Sequence, residues 1–352
     1  MSKTCTVSVN GENFTARAGE LLLDAALVNG VDMPFDCRSG YCGTCLVHLT
    51  NGLVVGGANA EQGMIHACQA YIVSDISVNT DENLLGPAAL GRVAQINRLC
   101  SNVFEVVINL GGSPTYRAGQ YYNVQFEGFP ARAYSPTPSL GNAEPDGANQ
   151  LRFHVKHIPE GAVSSNLNTR IRPGHIVSLF GPFGSACFVP NQSERLVLIS
   201  GGTGFAPIWS IFDAALSEQP NREILLIAGT QLLSKLYMAD ALQLASQCSN
   251  VKVMAVTSEK IAEREWLRSG NLFNLLPELH ITDTIHAAGP PSLIEGLKKI
   301  SGGVGCTLHA DPFVATGLPY RKPAKKVAPP VFDRGKNQPT QTPFPVWRRA
   351  AE

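Results

Sequence analysis

The sequence predicts a multi-domain protein in which three folded modules of different structural class precede a polar tail. Three observations lead to this prediction. Three cysteines fall within nine residues of a short mixed α+β segment, the next hundred residues are short β-rich runs separated by Gly and Pro, and strands then alternate with helices. Closely spaced β runs are typical of a small antiparallel barrel, and strand–helix alternation is typical of a parallel α/β sheet.

Residues 1–85 are predicted to form the mixed α+β module. Two hairpins, each turning at an Asn-Gly pair, and one short helix that ends at a Gly account for its pattern. The predicted elements are strands over 6–9 and 14–16, a helix over 20–29, and strands over 46–49 and 53–55.

The second module is predicted over 88–190 as the antiparallel β-barrel, and the third over 191–315 as the α/β domain. Strands are expected over 103–110, 121–126, 151–157 and 176–180 in the barrel, and over 196–200, 224–228, 251–256 and 284–288 in the α/β domain, with helices over 207–216 and 291–300. The tail over 316–352 holds seven prolines, and its eight basic and two acidic residues give it a net charge of +6. It is expected to be extended or disordered.

Composition excludes several classes of function. Formal net charge is zero over 352 residues, so the basic surface of a nucleic-acid-binding protein is absent. No apolar run reaches the roughly 18 residues that a membrane span needs. The first residues lack the apolar segment of a secretory signal, and nine cysteines are an odd number, so a cytoplasmic protein with reduced thiols is expected.

The cysteine spacing predicts a metal cluster. Cys37, Cys42 and Cys45 form a C-x4-C-x2-C run, and Cys68 follows after 22 residues. This is the spacing of plant-type 2Fe–2S clusters. Four thiolates must converge on two irons, and the glycines within the run let the loop bend and direct N–H groups at the sulfur atoms.

Zinc is the alternative occupant of these cysteines. His48 and His66 lie close enough in sequence to complete a mixed site. Structural zinc sites, however, favour paired C-x2-C spacings, so the sequence favours the iron–sulfur cluster. The five other cysteines have the character of small apolar residues.

A glycine-rich loop follows the first predicted strand of the α/β domain. Gly201, Gly202, Thr203 and Gly204 stand between that strand and a helix that contains Pro207 in its first turn. A strand, a glycine loop and a helix N-terminus in this order can hold a dinucleotide pyrophosphate, although the loop is not the G-x-G-x-x-G fingerprint. Considered alone, this loop is explained equally well as an ordinary turn that binds no ligand.

An Arg-Ala-Tyr-Ser segment marks a second candidate site. Arg132 can clamp a phosphate through two parallel hydrogen bonds, and Tyr134 shares its strand face and can stack on a flat ring. Ser135 can hydrogen-bond a ring nitrogen. A strand with one exposed Arg and one buried Tyr explains the segment almost as well.

These motifs in this order resemble the NAD(P)H-dependent ferredoxin reductase family with an N-terminal plant-type ferredoxin domain. The resemblance implies a β-grasp fold for residues 1–85. It further implies that Arg132, Tyr134 and Ser135 hold a flavin, and that a helix opening at Gly161, Ser164 and Ser165 faces its pyrophosphate. Because FMN has no pyrophosphate, the pair of motifs implies FAD; an ordinary N-cap is the alternative role of either serine.

The resemblance also names nicotinamide-binding residues. Gly289 and Pro290 match a C-G-x-P segment in which Ala288 replaces the Cys, and Gly229 and Thr230 follow the second predicted strand. Phe313 resembles the aromatic residue that lies near the flavin, and simple core packing is its alternative. Ser135 and Phe313 are the residues implied to act closest to the reacting ring.

The implied activity is electron transfer from NAD(P)H through FAD and the 2Fe–2S cluster to a protein acceptor. The arrangement resembles reductase components of Rieske ring-hydroxylating oxygenases, so the expected partner is a terminal oxygenase or an intermediate ferredoxin. Reductases of soluble diiron monooxygenases or of deoxysugar dehydratases share the layout, and a non-enzymatic ferredoxin or redox sensor is an alternative of another class. NADH is expected over NADPH, because Gln231 stands where a 2′-phosphate would favour an Arg, although Ser234 and Lys235 could bind that phosphate.

Overall fold

The computed structural model describes residues 3–31, 33, 35, 40, 45–58, 63–80, 89–140, 147–190 and 195–313. The predicted tail over 316–352, the linker around 81–88, and Cys37 and Cys42 lie outside the described residues. None of the helices in the described part of the chain is long and apolar enough to cross a lipid bilayer.

The N-terminal module is a five-stranded mixed sheet covered by one short helix. Its strand order is β2-β1-β7-β3-β5, and β1 runs parallel to β7. The strands are β1 (Thr4–Val9), β2 (Glu12–Arg17), β3 (Leu46–Asn51), β5 (Met64–His66) and β7 (Ile76–Asn79), the helix is α1 (Leu22–Val28), and a separate ribbon pairs β4 (Val54–Val55) with β6 (Tyr71–Ile72). The alternating apolar residues of β1 and the apolar face of α1 form its core. The arrangement agrees with the expected α+β class.

One predicted hairpin of this module is wrong. The two runs on either side of Asn51-Gly52 are strands, but β3 pairs with β5 and β7, whereas β4 pairs with β6. The chain at Gly52 packs so closely on the Ser74–Ile76 segment that a Cβ there would lie 2.0 Å from the Asp75 carbonyl oxygen. This contact turns the chain away from β3 and into the ribbon.

The second module is an antiparallel six-stranded sheet in the order β11-β10-β13-β8-β9-β12. Its strands are β8 (Ala89–Cys100), β9 (Val103–Leu110), β10 (Tyr121–Phe126), β11 (Arg132–Tyr134), β12 (Gln150–Lys156) and β13 (Ile176–Phe183). Among the described residues, the segments of the end strands β11 and β12 pair through one isolated bridge, between Pro136 and Phe153, so these residues form no continuous closed barrel. Sequence analysis missed β8, because most of its side chains are only half-buried and it lacks an apolar run.

The third module is a parallel α/β sheet, as predicted, and helices lie on both of its faces. The strand order is β17-β16-β15-β14-β18-β19. The elements are β14 (Leu196–Gly201), α2 (Phe205–Glu218), β15 (Ile224–Thr230), α3 (Ala239–Ala245), β16 (Val251–Thr257), β17 (Leu267–Ser269), α4 (Leu272–Leu275), β18 (Thr284–Gly289), α5 (Pro291–Val304) and β19 (Thr307–Pro312). Helices α2 and α3 pack on one face, and α4 and α5 pack on the other. Near-continuous apolar strands are what a sheet buried on both faces requires.

A buried ion pair ties the amino edge of this sheet together. Arg195, directly before β14, donates from Nε and Nη2 to the two carboxylate oxygens of Asp283 at 3.0 and 2.7 Å. The Asp283 side chain is 1% exposed and also accepts from the His280 N–H. Burial alone would raise the pKa of Asp283, but these hydrogen bonds and the charge of Arg195 outweigh burial and hold the pKa below its usual value.

We expect Asp283→Asn to lower the free energy of unfolding by about 3 kcal/mol, because it leaves the Arg195 guanidinium half-buried without its counter-charge. Because the folded pKa of Asp283 is depressed, the contribution is present above its unfolded pKa and is lost as pH falls through the folded value. Urea unfolding at pH 7 measures the first effect, and a series of urea unfolding curves continued down to about pH 3 measures the second. Glu223→Gln, which removes the exposed partner of Lys252, should change stability by less than about 0.5 kcal/mol. Equal losses in the two variants would contradict this account.

Candidate functional site

The topology of the parallel sheet places a binding crevice at the carboxyl ends of β14 and β18. From β14 the chain builds outward through β15 and β16 on one side, and it later returns to build β18 and β19 on the other. In open α/β sheets ligands bind where the strand order reverses in this way. Gly201 ends β14 and Gly289 ends β18, so two predicted glycine segments meet at the reversal point.

The two segments approach each other backbone to backbone. A Cβ at Gly204 would lie 2.1 Å from the Ala288 carbonyl oxygen, and a Cβ at Gly289 would lie 3.0 Å from the Gly201 nitrogen. Gly289 also has φ +147, a conformation that L side chains rarely adopt. Pro290 lies against the position that a Cβ of Gly201 would occupy. Only glycine fits this crossing of the two segments.

The loop after β14 forms a single 3-10 turn, Gly202–Gly204, that runs directly into α2. Gly202 is exposed, Thr203 is half-buried, and Pro207 lies in the first turn of α2, where its missing N–H costs no helical hydrogen bond. The turn and the helix start at the carboxyl edge of the sheet, so backbone N–H groups are presented where an anionic phosphate is stabilised.

Three further predicted residues line the same edge. Gly229 pairs with Gly201 across β14 and β15, and the Thr230 side chain donates to the Leu232 carbonyl at 3.1 Å. Phe313 follows β19, donates its N–H to the Gly289 carbonyl at 2.7 Å, and remains 36% exposed. Its backbone is thus anchored beside Gly289 while the ring stays exposed at this edge of the sheet.

The Arg-Ala-Tyr-Ser segment is strand β11 and the residue after it. Arg132 and Tyr134 are half-buried on one face of the strand, and Ser135 is buried. The Tyr134 ring lies 6.3 Å from that of Phe153, and burial raises the pKa of Tyr134, so its phenol stays neutral. Arg132 donates one hydrogen bond, from Nη1 to the carbonyl of Ala131 at 2.8 Å, and its other N–H groups have no hydrogen-bond acceptor among the described residues.

The Gly161 segment follows β12, which lies against the strand that holds Arg132. The bridge between Pro136 and Phe153 is antiparallel, so the start of β11, with Arg132, lies towards the end of the sheet at which β12 finishes. From there the chain turns at Gly161, so the two predicted flavin motifs converge on one corner of the antiparallel sheet.

Within this turn the two serines bond to the protein itself. Ser164 Oγ accepts from the Ile158 N–H at 3.0 Å, and Ser165 Oγ donates to the Gly161 carbonyl at 2.6 Å. The N–H groups of Ala162 and Val163 have no hydrogen-bond partner among the residues described. The segment forms one 3-10 turn, Ser164–Asn166. The serine hydroxyls are already used within this turn, so these N–H groups are the donors available to a phosphate.

Two contacts that sequence analysis missed join the antiparallel sheet to the α/β module. His154 on β12 hydrogen-bonds through Nδ1 to the Tyr237 hydroxyl at 3.1 Å, and Trp209 on α2 donates to the Ser139 carbonyl at 3.2 Å. The 3-10 turn Gly202–Gly204 also lies against β12. Burial, together with the charge of Arg152, lowers the pKa of His154 to about 3, so the imidazole is neutral at physiological pH. No motif marks such contacts, because they join residues 83 and 70 positions apart.

Two of the four predicted cluster cysteines lie among the described residues. Cys45 directly precedes β3 and Cys68 follows β5; both are buried, and their Sγ atoms are 3.2 Å apart. Two buried thiols brought side by side from separate segments are what a shared iron requires. Cys37 and Cys42 lie outside the described residues, so the complete ligand set stays a prediction.

The residues present fit the groups that the motifs imply. Paired buried thiols fit a thiolate-ligated cluster, and a glycine crossing at the sheet reversal leaves no Cβ between a flat ring and the backbone. Unbonded amides and the free guanidinium edge of Arg132 at one corner of the antiparallel sheet fit a pyrophosphate.

The comparison with family models agrees with these three sites. Residues 5–73 match the 2Fe-2S iron-sulfur cluster binding domain, residues 91–188 match the oxidoreductase FAD-binding domain, and residues 198–299 match the oxidoreductase NAD-binding domain. The match over 5–73 includes all four cysteines and decides between iron–sulfur and zinc in favour of the 2Fe–2S cluster.

Known reductases are similar to this chain over about two thirds or more of its length. The aromatic O-demethylase reductase subunit of an Amycolatopsis species is 33% identical over 66% of this chain and 74% of its own length. Reductase component 2 of terephthalate 1,2-dioxygenase from a Comamonas species is 27% identical over 86% of this chain and 95% of its own. The crystal structure of an Amycolatopsis cytochrome P450 reductase superposes with a TM-score of 0.61 at 26% identity, over 88% of this chain and 98% of that one.

Cys68→Ser is expected to remove most of the visible absorption and paramagnetic-resonance signal of the 2Fe–2S cluster while FAD stays bound, because a hydroxyl is a poor replacement for the thiolate beside Cys45. Cys248→Ser, in the half-buried part of the α/β module, should leave both signals unchanged. A Cys68→Ser protein with its full cluster content would refute the assignment of this ligand.

Gly204→Ala is expected to lower stability by about 1–3 kcal/mol and to weaken NAD⁺ binding, because the new Cβ collides with the Ala288 carbonyl. Gly302→Ala is the matched control, since Gly302 is exposed on α5 and a Cβ there meets nothing within 4 Å. It should stabilise the helix by about 0.5–1 kcal/mol. Thermal unfolding and NAD⁺ titration measure both variants, and a Gly204→Ala protein that behaves like the control would contradict the crossing.

The three modules, their order and the similarity across all of them lead to one identification. The chain is an oxidoreductase that uses NAD(P)H, FAD and a 2Fe–2S cluster, and it belongs to the family of ferredoxin–NAD(P) reductases that work as reductase components.

Proposed function

We propose that the protein is the reductase component of an oxygenase system and delivers single electrons through its 2Fe–2S domain to a Rieske-type aromatic-ring-hydroxylating oxygenase or to an intermediate ferredoxin. The observation that carries the proposal is the presence of all three modules in one chain, in the order ferredoxin, FAD, NAD. The Comamonas relative, named as the reductase component of terephthalate dioxygenase, has the same extent.

Bound FAD and the 2Fe–2S cluster would supply the redox chemistry, which is the conversion of a two-electron hydride donor into a source of single electrons. This chain supplies binding and orientation. Arg132 provides positive charge for the flavin pyrophosphate, and the unbonded N–H groups after Gly161 provide donors to the same group, with Ser164 and Ser165 holding that turn in shape.

The flat part of the flavin is assigned to the neutral face of β11. Tyr134 offers a phenol that burial keeps uncharged, and the Ser135 hydroxyl, buried beside it, is positioned to hydrogen-bond a ring nitrogen. The half-exposed ring of Phe313 is proposed to cover the place where flavin and nicotinamide meet. Each of these roles excludes water or orients a ring, and none requires a change in the charge of a side chain.

The nicotinamide dinucleotide is assigned to the reversal point of the parallel sheet. The turn over Gly201, Gly202, Thr203 and Gly204 presents N–H groups to its pyrophosphate. Gly289 and Pro290 leave room for the nicotinamide ring, and Gly229 and Thr230 line the path of the adenosine half. Cys37, Cys42, Cys45 and Cys68 are proposed as the four cluster ligands.

The proposal is tested with the purified chain and separated acceptors. We expect flavin and 2Fe–2S absorption bands that both bleach with NADH, rapid reduction of a two-electron dye, and reduction of a purified Rieske oxygenase component. Cys68→Ser should keep dye reduction and lose transfer to the oxygenase, since only the second route needs the cluster. If electrons pass exclusively to a haem or diiron oxygenase, that oxygenase replaces the Rieske protein as the proposed acceptor. If NADH does not reduce the bound flavin, the whole proposal is overturned.

A further inference from the structure

A carboxylate from strand β16 is fixed over the loop that follows β15. Glu259 lies two residues beyond β16, and its Oε2 accepts a hydrogen bond of 2.9 Å from the N–H of Leu233. Its own N–H donates to Thr257 Oγ1 at 3.2 Å, and its carbonyl accepts from Ser269 Oγ at 2.9 Å. The backbone and one carboxylate oxygen are therefore held, and Oε1 has no hydrogen-bond partner in the part of the chain that is described.

This carboxylate lies in line with the glycine loop along the edge of the sheet. Gly201, Gly229 and Val256 form one row across β14, β15 and β16, and Thr230 pairs with Thr257 in the next row. Two inter-strand spacings separate β14 from β16, which amounts to about 10 Å. An extended dinucleotide whose pyrophosphate lies at the glycine loop covers this distance with half its length.

The adenosine half is the one directed towards Glu259. The nicotinamide ring is assigned to the end of β18, where Gly289 and Pro290 leave room for it. The other half of the dinucleotide then extends to the opposite side of the turn, across β15 towards β16. Its ribose reaches the loop over 230–235, on which Glu259 is anchored through Leu233.

A carboxylate distinguishes the two nicotinamide cofactors by charge and by hydrogen bonding. An ionised carboxylate only accepts hydrogen bonds, so it pairs with the 2′-hydroxyl of NADH. The 2′-phosphate of NADPH carries nearly two negative charges at neutral pH and has no proton to offer, so the same carboxylate repels it. Lys235 and Lys260 lie nearby in sequence, and neither forms an ion pair with Glu259 among the residues described.

We propose that Glu259 is the residue that makes this reductase select NADH over NADPH. The inference rests on the proposed function and specifies which dinucleotide the same site takes. The residue that selects the cofactor then comes from the segment after β16, and not from the loop after β15. The expected size is at least about tenfold, the effect of one like-charge contact in a partly exposed site.

The test measures equilibrium binding to the FAD-loaded, oxidised full-length protein, so that it does not depend on turnover. Dissociation constants of NAD⁺ and NADP⁺ are determined by calorimetry for the unmodified protein, Glu259→Gln and Glu259→Arg. We expect a preference for NAD⁺ of at least about tenfold, a fall to about threefold or less in Glu259→Gln through tighter NADP⁺ binding, and a preference for NADP⁺ in Glu259→Arg. The pair 5′-AMP and 2′,5′-ADP should reproduce the contrast on the unmodified protein.

Glu223→Gln is the matched control, because it removes the same charge at the opposite edge of the sheet. It should keep the ratio of the unmodified protein. An unmodified protein that binds both cofactors equally, or a Glu259→Gln variant that keeps the original ratio, would overturn the role of Glu259 and leave the reductase proposal standing. A protein that holds FAD and binds neither dinucleotide would instead overturn the reductase proposal itself.

Discussion

The close crossing of two backbone segments, Gly201–Gly204 and Ala288–Gly289, is the constraint on which the rest of the α/β module depends. A Cβ at Gly204 would stand 2.1 Å from a carbonyl oxygen, so the crossing requires glycine at that position. It fixes where β14 ends, where α2 begins and how closely β18 approaches. Phosphate is recognised here by backbone N–H groups. Glycines at the crossing can therefore still bind a phosphate although they have no side chains.

The contact between the antiparallel sheet and the α/β module depends on uncharged side chains. His154 is buried and Tyr237 is half-buried, and burial lowers the pKa of the imidazole to about 3 and raises the pKa of the phenol. Their hydrogen bond thus joins two uncharged groups, and Trp209 adds another uncharged contact with the Ser139 carbonyl. A charged pair in the same place would cost desolvation free energy, and the attraction between the charges offsets this cost only when their geometry is excellent. Neutral partners hold β12 against the glycine turn without that cost.

Sequence reasoning succeeded where one short segment carries its own chemistry. The cysteine spacing, the glycine loop and the strand–helix alternation each depend on local spacing, and the family models match all three modules. The pairing of β3 and β4 failed, because the close contact of Gly52 with Asp75, not the Asn-Gly turn, decides where the chain goes. The closed barrel was likewise too specific, since among the described residues the segments of β11 and β12 pair through one bridge only.

The position of Glu259 shows why the remaining features escaped a linear reading. Gln231, Ser234 and Lys235 are the residues that a search along the chain after β15 finds, because a doubly wound fold places its ribose contact there. The carboxylate that reaches this loop comes from β16, 26 residues beyond Leu233, and its presence follows from strand register rather than from spacing. Backbone amides recognise phosphate whatever the side chains are, so the sites for pyrophosphate are visible as glycine patterns. Discrimination between two cofactors that share that pyrophosphate must come from side chains, and parallel strands deliver those from several points of the sequence to one edge. The pyrophosphate sites can therefore be predicted from local sequence, whereas the preference for one cofactor depends on how the strands are arranged in the sheet.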